Sequence, residues 1–453
     1  DFSWDLVPFE VMKDYAAMDA VVTLALFHKF KKALDTNDRL TWVYRNILLP
    51  GCRFLCDIET NGVPFDTDRL KRSSTLMAEQ IDEAVSKLNS YPEVQQFIKD
   101  RGEFNPNSTV QLRSLLFDYI GLEPTGKKTG TGADSTDAEV LGQLGEQHEI
   151  PKLILEVRQN VKIKNTYLDK ILPALDLDGR LRTGFNLHGT TSGRLSSSGK
   201  LNMQQIPRDN PIVKGCIKAK EGHQIVAMDL TTAEVYCAAV LAKDENLMDV
   251  FRQGGNFHST IAKQVFKLPC EVEEVAELYG DKRQQAKAVT FGIMYGAGPQ
   301  KISWQVTKDS GNLKQWLTHN QQFIRDNAFI YSFFGRKRRL PNAKSKDQGI
   351  ASHEVRSGIN FLVQSVASDV NLLAAIEMNQ WIKKVNIPAR IFALVHDSIL
   401  AEVPDEHVEE YCAKLQECVQ RERGVNIPNA PIGCDFEVGE DYSMGKFVAK
   451  YEV

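Results

Sequence analysis

The sequence predicts an α+β fold of several domains, and three observations carry that prediction. At 453 residues the chain is too long for one compact core, and ordinary domain sizes divide it into two to four units. Apolar patterning of the helical kind runs through residues 8–33, 66–88 and 151–171, each long enough for several turns. Strand signals are few and far apart: an apolar run at 224–228, and a second and third at 390–394 and 399–403 that flank a short bend.

Taken in order, the stretch after Pro8 places Met18, Val21, Val22, Leu24, Leu26 and Phe27 in a helical pattern. Asp66 has the short carboxylate that suits an N-cap. The polar-rich segment behind it, with Leu70, Leu76, Ile81, Val85 and Leu88, predicts a long, lightly buried helix in an elongated subdomain. Residues 124–137 are rich in Gly, Thr, Lys and Ser and lack large apolar side chains, which predicts a loop. The run 224–228 reads as a buried strand ending at Asp229, with helical spacing from Ala233 through Leu241. The two later runs read as a hairpin with His396 and Asp397 at its bend.

Composition sets limits. A hydrophobic content of 42% and a charged content of 25% are ordinary for a soluble globular protein. No apolar run approaches the ~20 residues that span a bilayer, and the first residues lack a basic head and apolar stretch, so membrane insertion and secretion are not expected. With 55 basic and 59 acidic side chains the net charge is −4, which gives no whole-molecule signal for a polyanionic partner. Local clusters must supply one: Lys127 with Lys128, Lys162 with Lys164, and the basic run 336–339. The first of these reads as solvated surface. The eight cysteines show no zinc-ligand spacing and read as reduced thiols.

Either Asp229 or Asp397 alone reads as a turn or cap residue. If both strands belong to one antiparallel sheet, the two carboxylates approach and can share hard cations. Two Mg2+ ions roughly 3.5–4 Å apart suit an in-line phosphoryl transfer. Arg283, Lys287 and Phe291 stand at i, i+4 and i+8, near one helical face. Two cations and a ring so placed suit a nucleoside triphosphate; the alternative is an exposed helix with an incidental basic face. Two glycines, Gly292 and Gly296, weaken that alternative, because they cost helix stability without a packing or functional reason.

These residues carry a resemblance. The segment 283–296 matches the R-x-x-x-K-x-x-x-F-G-x-x-Y-G motif B of family A DNA polymerases. Residues 229–234 resemble motif A, and 395–398 resemble motif C. The run 191–198, followed by 202–207, is similar to the T-x-G-R-L-S-S-S…N-L-Q-N-I-P signature, and Arg356, Asn360 and Gln364 fit the R-x-x-x-N-x-x-x-Q helix. The resemblance implies a right-hand fold: palm entry at 41–65, thumb at 66–175, palm with motif A at 176–250, fingers at 251–345 and palm with motif C at 346–453. Residues 1–40 correspond to the C-terminal tail of a 3′-5′ exonuclease domain, with Tyr15 and Asp19 resembling its Y-x-x-x-D motif. The full-length protein is expected to carry that nuclease, and this chain alone is not expected to proofread.

By the same resemblance, Asp229, Asp397 and the Leu230 carbonyl bind two Mg2+ ions, for which Mn2+ can substitute. Arg283, Lys287 and His258 take the triphosphate, Phe291 packs against the incoming nucleotide, and Tyr295 guards the template-base pocket. Glu234 blocks a ribose 2′-OH. Arg194, Gln204, Arg356, Asn360, Gln364 and His396 meet the primer-template, and Lys162 and Lys164 grip duplex phosphates. The implied activity is template-directed DNA synthesis from dNTPs in replication or repair. The enzyme is expected to be a monomer in the cytoplasm or nucleoid (host cytoplasm for a viral relative, an organelle as the alternative), with a processivity or replisome factor as a further partner. The chain departs from the family pattern at Ser398, where many relatives carry a third acid, at Thr232 and Tyr236 of motif A, at Ser365, and in a shorter interval 296–335. Two rival readings are a single-subunit RNA polymerase and a non-catalytic primer-template binding factor.

Overall fold

The computed structural model describes residues 6–199, 201–207, 210–254, 256–294 and 311–446, with the side chains of 289, 291–294 and 311 outside that description. The first helix, α1 (Phe9–Asp35), has no buried residue. Its apolar pattern is therefore helical as expected but faces outward, with Met18, Val21 and Phe27 all exposed.

Helix α2 (Thr67–Asn89) starts where the sequence places it: the Asp66 side chain accepts the Arg69 N–H at 2.9 Å. Leu70, Met77, Ala84 and Leu88 are its buried apolar residues, and it packs along α3 (Glu149–Lys162). Arg69 ties the start of α2 to the body of the protein, donating to the Gly215 carbonyl and to Asp441, each at 2.7 Å. A separate apolar cluster that includes Leu88, Phe97, Leu112, Leu141 and Ile154 gives this helical part a core of its own. Residues 124–137 form the expected loop. Lys127 pairs there with Asp137 at 2.8 Å, and Lys128 with Asp134 at 2.6 Å, which agrees with a solvated surface.

Four antiparallel strands make the central sheet: β1 (His223–Thr231), β2 (Arg390–Val395), β3 (Ser398–Pro404) and β4 (Gly433–Gly439), in the order β4-β1-β3-β2. Strand β1 does not end at Asp229. It runs on to Thr231 because β4 pairs with it from Ile225 opposite Gly439 to Thr231 opposite Gly433. The sequence reading lacked β4, whose apolar positions Cys434 and Phe436 are only partly covered and Val438 exposed.

Helices α4 (Ala233–Ala242), α5 (Phe257–Phe266), α6 (Gly280–Met294), α7 (Gly311–Asn327), α8 (Gln348–Val385) and α9 (Val408–Gln420) complete the body. At 38 residues, α8 is long and apolar enough to cross a membrane, a longer apolar helix than the sequence reading allowed. However, 78% of its most apolar window is buried inside the protein. It is the core helix against which α4, α7 and α9 pack. All eight cysteines are unpaired, and burial pushes the Cys216 and Cys237 thiols up to about 12.

Tyr236, one of the departures in motif A, has a structural task. Its ring is buried on α4, its hydroxyl donates to the Ala430 carbonyl at 2.7 Å, and it accepts the Ile427 N–H at 2.7 Å. Tyr236→Phe leaves both backbone groups without that partner and is expected to lower stability by about 1–3 kcal/mol. Equilibrium urea unfolding reads this as a lower midpoint at unchanged slope; an unchanged midpoint contradicts it.

Candidate active site

Strand β1 is buried from Ile225 to Met228 and again at Leu230, and Asp229 is the one exposed residue of the strand. Pleating turns Asp229 to the open face of the sheet. Its neighbour across β3 is Ser398, whose hydroxyl donates to Asp229 Oδ1 at 2.7 Å. Strands β2 and β3 are joined by the two-residue turn His396-Asp397, with His396 in the left-handed region at φ 54°. The Leu230 N–H donates to the Asp397 carbonyl at 3.2 Å. The two carboxylate-bearing residues, 168 positions apart in the chain, are thus brought together by a backbone bond from Leu230, next to Asp229, to the turn residue Asp397.

The turn is held from below by Gln204. Its amide Nε2 donates to the Leu394 carbonyl at 2.7 Å, and its Oε1 accepts the His396 N–H at 2.9 Å. Both ends of the Gln204 amide, expected at the primer-template, engage the hairpin backbone, so it positions His396 and Asp397.

Asp229, His396, Ser398 and Lys287 line one cavity of about 450 Å³. Lys287 reaches it from α6, which packs on α5. Arg283, one turn earlier, donates to Asn256 Oδ1 at 3.4 Å, and Asn256 is also the N-cap of α5, accepting the Ser259 N–H. His258 sits in the first turn of α5 at 5% exposure. Burial, with the Lys287 and Arg283 charges beside it, pushes its imidazole down to about 4. Three groups expected to act together are therefore neighbours. The Phe291 side chain and all of Tyr295 lie outside the described residues.

His258 gives a pH prediction. The folded chain holds the ring neutral while the unfolded ring takes a proton near 6.5, so the unfolded state binds more protons between these values. The stability this contributes is complete above about 6.5 and falls as pH drops toward about 4. NMR titration of the ring is expected to give a midpoint near 4, rising when inorganic triphosphate is added. A midpoint near 6.5 in the free chain contradicts the account.

At the end of β1, Thr232 takes a left-handed φ of 51° and α4 begins. Glu234 falls in its first turn with its side chain 12% exposed. Arg194 Nη2 donates to Glu234 Oε1 at 2.5 Å and stands 3.6 Å from Asp397 Oδ1. Burial, with Asp397 nearby, pushes the Glu234 carboxyl up while Arg194 pulls it down. Arg194 thus bridges two acids of the site. Its Nε is buried with no hydrogen-bond partner among the described residues, and the same holds for Arg283 Nε and Asn360 Oδ1.

Arg356, Asn360 and Gln364 lie along α8, half-buried at four-residue intervals. The basic run 336–339 does not form the expected patch. Arg336 is largely covered and paired with the buried Asp369, and Arg338 donates to the Ser357 carbonyl and hydroxyl. Lys337 lies over the Phe329 ring, 4.1 Å from its centroid. Only Arg339 is exposed. Lys164 is engaged locally with Asp169 at 2.7 Å, whereas Lys162 is exposed. Tyr15 and Asp19 share the exposed helix α1 and are not among the residues gathered here.

Sequence reasoning missed four residues that line the same cavity: Lys214, Asp435, Glu437 and Tyr442. Asp435 is directly opposite Asp229 across β4. The period-two alternation of residues 433–439 between two glycines was the signal that could have found it.

The donor set fits a hard divalent cation. Among the described residues no group of three His, Cys, Asp or Glu side chains closes into a cage. Two carboxylates with open positions are what Mg2+ favours, since it keeps water or substrate oxygens in its shell. The Arg194 guanidinium near Asp397 shows the same preference for positive charge.

Comparison with known proteins gives the family. The family model described as DNA polymerase family A matches residues 68–444. The DNA polymerase of Escherichia phage T5 is 45% identical, over 98% of this chain and 57% of that protein. The thermostable DNA polymerase I of Thermus thermophilus is 31% identical, over 95% of this chain and 52% of that protein. The chain therefore spans about half the length of the curated relatives it matches. Among solved structures, the POL domain of Pol1 from M. smegmatis, in complex with DNA primer-template and dNTP, superposes with a TM-score of 0.76 at 26% identity, covering 87% of this chain and 70% of that one. The α+β arrangement is that of the polymerase fold, and the chain belongs to DNA polymerase family A.

Proposed function

We propose that this chain extends a primer 3′-OH with dNTPs along a DNA template, releasing pyrophosphate. The observation that carries the reading is the backbone bond from Leu230, next to Asp229, to Asp397 in the hairpin turn, beside a cavity that Asp229 and Lys287 line. Enzymes of this family depend on divalent metal. Two Mg2+ ions, or Mn2+ in their place, held by Asp229, Asp397 and the Leu230 carbonyl, would stabilise the attacking and leaving oxygens of the transfer.

The chain's own residues do the rest by position and charge. Arg283 and Lys287 present cations to the triphosphate from one helix face. His258, neutral at physiological pH, serves as a hydrogen-bond donor to phosphate rather than as a third cation. Phe291 and Tyr295 serve the nucleotide and template-base pockets. Glu234 closes the space at the sugar edge. Arg194, Arg356, Asn360, Gln364 and His396 are the donors that test the minor groove, where acceptors are shared by all correct pairs. Lys162 remains a phosphate contact of the thumb, and Lys164 joins it by exchanging its Asp169 partner for phosphate. The domain limits follow the sequence reading, with thumb 66–175, fingers 251–345 and the palm between and after them. The phage and bacterial relatives support work in a cytoplasm.

Single-nucleotide primer extension on templates that differ at one base tests this. The added dNTP is expected to follow the template base. Equal use of rNTPs supports an RNA polymerase instead, and duplex binding without Mg2+-dependent extension supports a non-catalytic binding factor.

A further inference from the structure

Arg336 and Asp369 form a buried ion pair with no place in the reading above. Arg336 stands between the strands Phe329–Tyr331 and Lys337–Arg339, and Asp369 lies inside α8. Arg336 Nε donates to both carboxylate oxygens, at 3.0 and 2.9 Å, and Nη2 stands 2.8 Å from Oδ1. The side chains are 11% and 0% exposed. A pair so buried gains little over apolar packing, so stability alone is a weak reason for it.

Its other neighbour supplies a reason. Gly193 has φ +83°, and a Cβ built on it would meet Arg336 Cδ and Nε at 3.1 Å and Cζ at 3.3 Å. The Arg336 side chain therefore lies directly against the Gly193 backbone, where a left-handed turn and close approach both call for glycine. The next residue is Arg194, which holds Glu234 and stands beside Asp397. The Thr190 hydroxyl fixes the same turn, donating to the Arg194 carbonyl at 2.7 Å.

We propose that Arg336, locked by Asp369, is a positioning residue: it props the turn at Gly193 and so sets where the Arg194 guanidinium reaches. Through Arg194 it governs the placement of Glu234 at the sugar edge. This rests on the polymerase reading and adds a specificity determinant to it. Nε alone donates to both carboxylate oxygens, and a lysine at 336 keeps the charge but has no guanidinium N–H at that place.

The test is a double-mutant cycle on single-nucleotide incorporation with dNTP and rNTP, run below the melting temperature of every variant. Arg336→Lys is expected to lower dNTP incorporation roughly 10- to 100-fold and to narrow the deoxy-to-ribo ratio. In an Arg194→Ala background the same change is expected to add no further loss, because it acts through Arg194. Independent, multiplying losses, or an unchanged deoxy-to-ribo ratio, overturn the proposal. If Arg336→Lys does not fold, Asp369→Asn takes its place in the cycle, with the same two outcomes. A wild type that fails to extend primers sinks the polymerase reading itself; an active wild type without this coupling sinks only the positioning role.

Discussion

Replacing Asp397 or Asp229 by asparagine is expected to lower Mg2+-dependent nucleotide incorporation by at least about 10³-fold, a loss of the size seen when a group stabilising the transition state is removed. Primer-template affinity is expected to stay within a few-fold. The substitutions keep size and most hydrogen bonding. The tie from the Leu230 N–H reaches the backbone carbonyl of residue 397, not its side chain, and Gln204 holds the turn through backbone groups. Ser398 can still donate to an asparagine oxygen at 229. What disappears is one negative charge from an open two-carboxylate site, so rate is lost without loss of fold. Rapid-quench incorporation together with a binding titration measures both quantities, and less than a tenfold fall in rate for both variants contradicts the account.

Glu234→Ala is expected to cut the preference for dNTP over rNTP on the order of 10²- to 10³-fold, mainly by improving use of the ribonucleotide. Glu234 sits in the first turn of α4, largely covered and held by Arg194 at 2.5 Å. A carboxylate fixed in that way cannot swing aside for a 2′-OH, and its engaged oxygen offers the hydroxyl no compensating bond. Truncation removes the obstruction. It also frees Arg194, so a modest loss with dNTPs is expected beside the larger gain with rNTPs. Steady-state kcat/KM for matched dNTP and rNTP measures the ratio, and an unchanged ratio means that Glu234 is only a helix-end acid.

The difference between what the sequence showed and what it hid follows the range of the interactions. The Asp66 cap, the bend at His396 and Asp397 and the helix after Ala233 are set within a few residues, and the structure has each of them. Strand β4 was hidden because its partner lies about 200 positions away and its apolar side is only partly covered. With it went Asp435, opposite Asp229. Gln204 was assigned to DNA by its resemblance to a family signature, and Arg336 only as part of the basic run 336–339. Their partners, the hairpin backbone at 394 and 396 and the carboxylate of Asp369, come from distant segments that no local pattern reveals. The residues on α6 were legible because four-residue spacing on one helix is itself geometry. The apolar face of α1 shows the converse: its helix was readable, and its exposure was not.

The measurement closest to the central claim is a count of bound Mn2+ by electron paramagnetic resonance, with the chain on a 3′-deoxy-terminated primer-template and the matching dNTP. The account predicts about two bound ions per chain in the wild type and fewer than one in Asp397→Asn, with the dNTP dependence of binding lost. Equal Mn2+ occupancy in the two proteins would contradict it, because the paired carboxylates would then not be what holds the metal.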